Sequence, residues 1–212
     1  MKPTIMNTLR IPAVAAALFL GGLLAAFSAE TIRYEAEPGG SKMKIDGTST
    51  LHDWTVECGV IGGFMELDAT FPDGGATPSA VTPRVEVSIP VRQLKSGKKS
   101  MDSVMLDAMK QEKFPKIEYK MIGLKPKAGA AGQFDATGAL TIAGVTKTNT
   151  MAVTIARADG NKLKVTGGTA VKMTDFGIKP PSPDVPGLSA LIKTGDDVKL
   201  SFEWITTKAP AK

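Results

Sequence analysis

The fold is decided by the stretch at residues 133–157, QFDATGALTIAGVTKTNTMAVTIAR. Apolar residues occupy every second position from Phe134 to Ile142 and again from Met151 to Ile155, on either side of the short segment AGVT at 143–146. Such alternation is typical of strands with one dry face and one wet face. A short segment that contains Gly is typical of a hairpin turn. The stretch therefore predicts two antiparallel strands joined by a tight turn.

The same period of two recurs along most of the chain. The other alternating segments are KMKID (42–46), DWTVECGV (53–60), RVEVSIPV (84–91), KIEYKM (116–121), KLKVTGGTAVKM (162–173) and DVKLSFEW (197–204). Segments rich in Gly, Pro, Asn and Asp at 72–80, 125–132 and 158–161 predict the turns between them. We therefore expect an all-β fold, an antiparallel meander of about eight strands that closes into a barrel and so removes its edges. A two-sheet sandwich has similar strand spacing and is the alternative.

One segment has a helical period instead. In KSMDSVMLDAMKQEKFP (99–115), the apolar residues are spaced i, i+3, i+4, i+7 and i+8, which is one face of a helix. They are Met101, Val104, Met105, Ala108 and Met109. We expect a short helix that ends at Pro115 and caps one end of the barrel. Its Met residues are either ordinary core or an adaptable surface against an apolar ligand.

Both ends of the chain carry further signals. Lys2 and Arg10 precede an apolar run that ends in small residues, the pattern of a secretory signal peptide over residues 1–28. We expect a periplasmic or secreted protein with one domain over 29–212. Without the signal, 24 basic residues oppose 21 acidic ones, a net charge of +3 that gives no argument for nucleic acid. The Pro-rich segment 176–197 predicts a long loop, of the kind that often forms lids.

The single histidine, His52, and the single cysteine, Cys58, raise the question of catalysis. Six residues of extended strand separate them by roughly 20 Å, whereas a nucleophile and its base must be in contact. Other marks of catalysis or metal binding, such as GxSxG and HExxH, are absent from the sequence. We therefore expect no enzyme, no metal and an inert Cys58. With a strand that starts near Leu51, His52 lies at a barrel mouth on the inward face, either as a satisfied turn residue or facing a ligand.

Four stretches in order resemble the YceI-like family of exported polyisoprenoid-binding proteins. They are GTSTLHDWTV (47–56), residues 88–120 from SIPVRQL to KIEYK, GALTIAGVTKTNTMAV (138–153), and MTDFGIKPPS (173–182) followed by IKTGDDVKLSFEW (192–204). The HDW at 52–54 with a Met-rich helix marks one branch of that family. The resemblance covers essentially the whole mature chain. It implies a lipocalin-like barrel that holds a long isoprenoid chain, such as a quinone tail, and that has no catalytic activity of its own.

The predicted function is that of an exported carrier or sequestering protein for an isoprenoid lipid or quinone. The residues expected to contact this ligand are His52, Trp54, Val85, Val87, Met105, Met109, Tyr119, Phe134, Leu140, Met151, Val153, Val171, Phe176, Leu200 and Phe202. Small inward residues, Ala136, Gly138, Gly167 and Thr169, are expected to keep the interior open. The polar head would meet His52 or Tyr119.

Two other functions remain open from sequence. One is an envelope stress or interaction protein with a filled barrel, which binds a protein partner through its surface or its Pro-rich loop. The other is an enzyme that acts on small lipids. The partners expected for the carrier are an apolar isoprenoid lipid and a membrane-associated donor or acceptor of it, with a homodimer also open and no cofactor required.

Overall fold

The structure, a computed structural model, describes residues 30–69, 71, 83–181 and 192–210. Its strands are β1 (Thr31–Ala36), β2 (Lys42–Ser49), β3 (Trp54–Cys58), β4 (Gly62–Asp68), β5 (Arg84–Pro90), β6 (Lys116–Pro126), β7 (Gln133–Ile142), β8 (Val145–Arg157), β9 (Lys162–Lys172) and β10 (Thr194–Lys208). One α-helix, α1, spans Lys99–Ala108, and 3₁₀ helices span Val91–Gln93 and Thr174–Phe176. The predicted signal peptide (1–28), the predicted turn at 72–80 and the loop centre at 182–191 lie outside the described residues.

The strands form one antiparallel sheet that closes on itself. Its order is β1-β4-β5-β6-β7-β8-β9-β10, and β10 pairs back with β1. The strands β2 and β3 extend the seam, because β10 pairs with β2 over its first part and with β1 over its last residues. In effect β1 with β2, and β3 with β4, are two interrupted strands, so the barrel has eight strand positions. The predicted closed barrel is confirmed, and the two-sheet sandwich is wrong.

Side chains and backbone groups near the break between β1 and β2 satisfy the β10 backbone there. The amide of Ile205 donates to the buried Ser41 hydroxyl at 3.0 Å, and its carbonyl accepts from the amide of Glu37 at 3.0 Å. A buried backbone group without a partner would cost about 1–3 kcal/mol. The break therefore leaves the seam of the barrel fully hydrogen-bonded at Ile205.

Residues 133–157 form the predicted hairpin. β7 and β8 pair in continuous register from Gln133 with Thr154 to Ile142 with Val145. Only Ala143 and Gly144 connect them, with φ of 48° and 81°. Two successive positive φ values are those of the type I′ turn, whose twist matches that of the strands it joins. The side chain of Phe114 lies directly over Gly144, where a Cβ would overlap its ring.

The helix α1 is present but shorter than predicted. It connects the paired ends of β5 and β6, and so lies at one end of the barrel. It ends at Ala108 rather than near Pro115, because Lys110 adopts a left-handed φ of 54° and the chain turns back on Lys110 through Phe114. The side chain of Val104, predicted to face inward, is 44% exposed, and Leu106 packs against the core instead.

Asp102 fixes the loop that leads into α1. Its carboxylate accepts hydrogen bonds from the hydroxyl of Ser96 at 2.6 Å and from the amide of Ser96 at 2.7 Å. These two bonds hold the pKa of Asp102 below its ordinary value, because they favour the charged carboxylate.

Among the described residues, no helix has the length and apolar composition needed to cross a bilayer.

Candidate binding cavity

Inward side chains leave an apolar cavity in the middle of the barrel. The cavity has a volume of about 120 Å³. The lining residues are Met43, Ile61, Met65, Leu67, Pro83, Val85, Val87, Ile89, Ile117, Tyr119, Met121, Leu124, Ala136, Leu140, Met151, Val153, Ile155, Val165, Thr169, Leu200, Phe202 and Trp204. No side chain in this set is charged. The cavity shows that the interior of the barrel is not filled. The alternative of an interaction protein assumed a filled barrel.

Eight of the residues predicted to contact a ligand line this cavity. They are Val85, Val87, Tyr119, Leu140, Met151, Val153, Leu200 and Phe202. Pairing in register brings them together, because directly opposed residues point to the same face. Tyr119, for example, pairs with Val87 on one side and with Leu140 on the other. The alternation in the sequence was thus a correct guide to the inward face.

His52 lies elsewhere, in an exposed turn. The strand β3 begins at Trp54 rather than near Leu51, so His52 precedes it. The hydroxyl of Ser49 hydrogen-bonds with the amide and the carbonyl of His52, at 3.1 and 2.7 Å. The ring Nδ1 of His52 contacts the carbonyl of Asp53 at 2.8 Å. The prediction that His52 faces inward is wrong, because the hydrogen bonds of Ser49 shape the chain at 49–52 into a turn.

Six more of the predicted residues lie outside the cavity wall. Trp54 covers Gly47, where a Cβ would overlap its indole ring, and its Nε1 donates to the carbonyl of Thr48 at 3.1 Å. Phe134 is buried against Phe71, with ring centroids 5.4 Å apart. The other four are Met105, Met109, Val171 and Phe176. They belong to the packed core, and their contact with a ligand stays a prediction.

The small inward residues do not all have the expected role. Ala136 and Thr169 line the cavity. Gly138, however, lies under the ring of Tyr119, whose hydroxyl oxygen is 2.6 Å from the position of a Cβ. A Cβ on Gly167 would lie 2.9 Å from Phe202 and 2.8 Å from the carbonyl of Ala152. These glycines make room for neighbouring aromatic side chains rather than for empty space.

The sequence reading missed several lining residues. Met65 and Leu67 lie on β4, which was not predicted because Gly62 and Gly63 interrupt the alternation at its start. Trp204, Met121 and Val165 were assigned to inward faces but not to the binding site. The same alternation that identified Phe202 would have found Trp204, two residues further along β10.

Three buried polar atoms interrupt the apolar interior. Within the described residues, the Tyr119 hydroxyl, the Trp204 Nε1 and the Asn149 Oδ1 lack a hydrogen-bond partner. Burial raises the pKa of Tyr119 to about 12, because the phenolate would be charged in apolar surroundings. These atoms are therefore neutral hydrogen-bonding groups in the interior of the barrel.

Cys58 is a buried free thiol. It is 2% exposed, and its Sγ contacts the carbonyl of Val60 at 3.3 Å. Burial raises the pKa of Cys58, because the thiolate would be desolvated. In the described part of the chain, no three His, Cys, Asp or Glu side chains are grouped as a metal site requires.

The geometry defines a class of protein, a closed eight-stranded barrel with an apolar cavity along its inward face. Comparison with known families gives a more specific assignment, since the YceI-like domain matches residues 31–205. The chain belongs to the YceI-like domain family. A UPF0312 protein of Pseudomonas savastanoi pv. phaseolicola is 27% identical over 205 residues, which cover 91% of this chain and 97% of the relative.

Solved structures show the same fold at low sequence identity. BcnA of Burkholderia cenocepacia superposes with a TM-score of 0.62 at 19% identity, covering 79% of this chain and 96% of that one. A polyisoprenoid binding domain from Saccharophagus degradans, implicated in plant cell wall breakdown, gives 0.61 at 13% identity, covering 83% and 98%. The YCEI protein of Campylobacter jejuni gives 0.54 at 19% identity, covering 74% and 85%. The barrel is thus common to these proteins.

Proposed function

We propose that this protein is an exported binding protein that carries or sequesters a long isoprenoid lipid in its barrel cavity. The observation that carries the proposal is the cavity wall, to which most strands contribute apolar side chains and none contributes a charged one. Such a wall offers nothing to a charged metabolite and much to a hydrocarbon chain. A quinone tail and a prenyl alcohol chain both have this chemistry.

The energetics favour a long ligand. Each CH₂ group transferred out of water gains about 0.8 kcal/mol, so several isoprene units gain on the order of 10 kcal/mol before the costs of association. An isoprenoid chain of this length is too insoluble to cross an aqueous compartment alone. A carrier protein that buries the chain would allow it to cross. A membrane-associated donor or acceptor of the lipid fits this role.

The likeness to known proteins supports the same ligand class. The Saccharophagus degradans domain, described as a polyisoprenoid binding domain, shares the barrel over most of both chains. Export is supported by the signal-peptide pattern at residues 1–28. The absence of catalysis is supported by the lining, in which the described residues contribute Tyr119, Thr169 and Trp204 as the only polar side chains and no nucleophile beside a base.

The two tryptophans provide a direct test. Trp204 lines the cavity, whereas Trp54 lies outside it, so Trp54→Phe leaves one tryptophan that reports on the interior. We expect the fluorescence of this variant to change saturably with geranylgeraniol, a tetraprenyl alcohol, and much less with the five-carbon alcohol prenol. The reason is that affinity grows with buried chain length.

The matched control is Trp204→Phe, which keeps Trp54 as the only tryptophan. Its fluorescence should stay nearly constant over the same titration. Native mass spectrometry should show one tetraprenyl alcohol bound to the wild-type protein. A signal that does not change with any chain length, together with empty spectra, would rule out the proposed function.

A further inference from the structure

A cluster of polar side chains lies inside the barrel near the ring of Tyr119. We call the three residues Tyr119, Asn149 and Thr169 the polar cluster. They lie on β6, β8 and β9, and β7 contributes only Gly138 between them. Tyr119 and Thr169 line the cavity, and Asn149 is in phase with Met151 and Val153, which also line it. The polar cluster therefore belongs to the inward face of the barrel.

Strand pairing holds these residues together. Asn149 pairs directly with Gly138, so the two residues point to the same face. The ring of Tyr119 lies over Gly138, with its hydroxyl 2.6 Å from the position of a Cβ there. Directly opposed Cβ positions are about 5 Å apart, so the Tyr119 hydroxyl lies within about 8 Å of the Asn149 Cβ. The Asn149 Nδ2 donates to the Thr169 hydroxyl at 3.1 Å.

This arrangement leaves two hydrogen-bonding groups unused. Within the described residues, the hydroxyl of Tyr119 and the Oδ1 of Asn149 have no partner, and both are buried. Buried polar groups in folded proteins nearly always have a partner, so these two atoms are available to a ligand that both donates and accepts a hydrogen bond. Rotation of the Tyr119 ring away from Gly138, toward the empty space of the cavity, would open a position between these two atoms.

We propose that the polar cluster binds the hydroxyl head of a long isoprenoid alcohol whose chain occupies the cavity; this rests on the proposed function. A hydroxyl both donates and accepts, so it satisfies Asn149 Oδ1 and the Tyr119 hydroxyl together. It does so in either orientation of the Asn149 amide. A diphosphate head would bring charge to a wall to which the described residues contribute no charged side chain, so it would be neither paired nor hydrated there.

The test compares three ligands with the same tetraprenyl chain, measured by the fluorescence of the Trp54→Phe protein. These are geranylgeraniol, the hydrocarbon without the hydroxyl, and geranylgeranyl diphosphate. We expect the alcohol to bind about tenfold more tightly than the hydrocarbon, since one good neutral hydrogen bond corresponds to about that factor. The diphosphate should bind more weakly than the alcohol. Equal affinity for alcohol and hydrocarbon, or tighter binding of the diphosphate, would overturn the inference.

Variants assign the effect to the polar cluster. Tyr119→Phe and Asn149→Leu should each lower the affinity for geranylgeraniol by about tenfold and leave that for the hydrocarbon unchanged. Thr150→Val is the matched control, because Thr150 neighbours Asn149 on β8 but is exposed and bonds to Thr137 on the outer face. Tyr119→Phe changes one atom and decides the question if Asn149→Leu does not fold.

The outcomes separate the two proposals. If neither the alcohol nor the hydrocarbon binds, the proposed function fails, and the inference fails with it. If both bind with equal strength, the cavity takes the chain, but the polar cluster has no role in the head group. If Thr150→Val lowers the affinity as much as the two variants do, the polar cluster is also excluded as the cause.

Discussion

Tyr119 contributes both an apolar ring and a polar hydroxyl to the cavity. Its ring covers Gly138 and lines the apolar wall, while its hydroxyl lacks a partner among the described residues. Burial of the phenol favours the neutral form and disfavours the phenolate. The state of this one side chain therefore reports on how well the interior excludes water.

We expect Tyr119 to titrate near pH 12, two units above an ordinary tyrosine. Because the unfolded chain loses this proton near pH 10 and the folded chain keeps it, the unfolded state binds fewer protons between pH 10 and about 12. Stability should therefore fall across this range, by about 3 kcal/mol at most from this residue. The measurement is ultraviolet titration of phenolate absorbance, with Tyr34 as the other tyrosine of the chain.

Tyr119→Phe provides the control for this titration. The variant should lack the absorbance step near pH 12, and its urea midpoint should fall less between about pH 9 and pH 11 than that of the wild type. A step that belongs to Tyr119 and lies near pH 10 would mean that water reaches the phenol and that the hydroxyl is not buried.

For single residues, the sequence pattern predicted the apolar side chains of the cavity wall better than the polar ones. Val85 and Phe202 each lie between two polar neighbours, and hydrophobicity alone assigns them to the inward face. Asn149 lies in TKTNT, where every residue is polar, so nothing in the pattern distinguishes its inward side chain. His52 was misplaced because the hydrogen bonds of Ser49 that form its turn leave no mark in the hydrophobic pattern.

Among the elements, the β7–β8 hairpin was correctly predicted from the alternating pattern, and its turn contains a strained residue. Ala143 is the first residue of the two-residue turn and has a φ of 48°, a region that costs a residue with a Cβ about 1–2 kcal/mol. Asn or Gly is the usual choice at this position. Ala143 is also buried, which leaves little room for a larger side chain.

Ala143→Gly should therefore stabilise the protein by up to about 1 kcal/mol, because relief of the strained φ outweighs the greater freedom of Gly in the unfolded chain. The measurement is the free energy of unfolding in urea. Ala139→Gly is the matched control, since Ala139 lies inside β7 and Gly there should cost about 0.5–1 kcal/mol. Equal destabilisation by both changes would contradict the assignment of strain to the turn.

The elements that the sequence missed have a common physical reason. β1 has six residues, and β4 begins with Gly62 and Gly63, so each offers a short or interrupted alternation. The pairing of β4 with both β1 and β5 stabilises it, and such long-range pairing has no local signature. The early end of α1 is similar, because the left-handed Lys110 precedes Pro115 and carries no Gly to indicate it.

At the scale of the whole molecule, the empty interior is the feature on which function depends. Barrels of eight strands are just wide enough to be filled by side chains or to hold one slim ligand. Here Ala136 and Thr169 contribute small side chains to the wall, and the space between the strands stays open. A change that fills this space should separate binding from folding.

Ala136→Leu is expected to lower the affinity for geranylgeraniol at least tenfold while the free energy of unfolding stays the same or rises. The added side chain occupies space that the ligand needs, and it buries apolar surface without displacing packed atoms. The measurements are the fluorescence titration in the Trp54→Phe background and urea unfolding. Ala152→Leu is the control, because Ala152 is exposed on the outer face of β8. Undiminished binding by Ala136→Leu would place the lipid elsewhere.

The double role of β10 has a consequence for biogenesis. This strand pairs with both β1 and β2, so during synthesis the nine other strands of the described residues precede the one that closes the barrel. Until β10 pairs, the apolar inner face of the sheet is exposed to water and prone to collapse or aggregation. The nascent chain therefore forms its closed cavity only when β10 pairs, in a single final step. A lipid that arrives earlier meets an open sheet rather than a closed barrel.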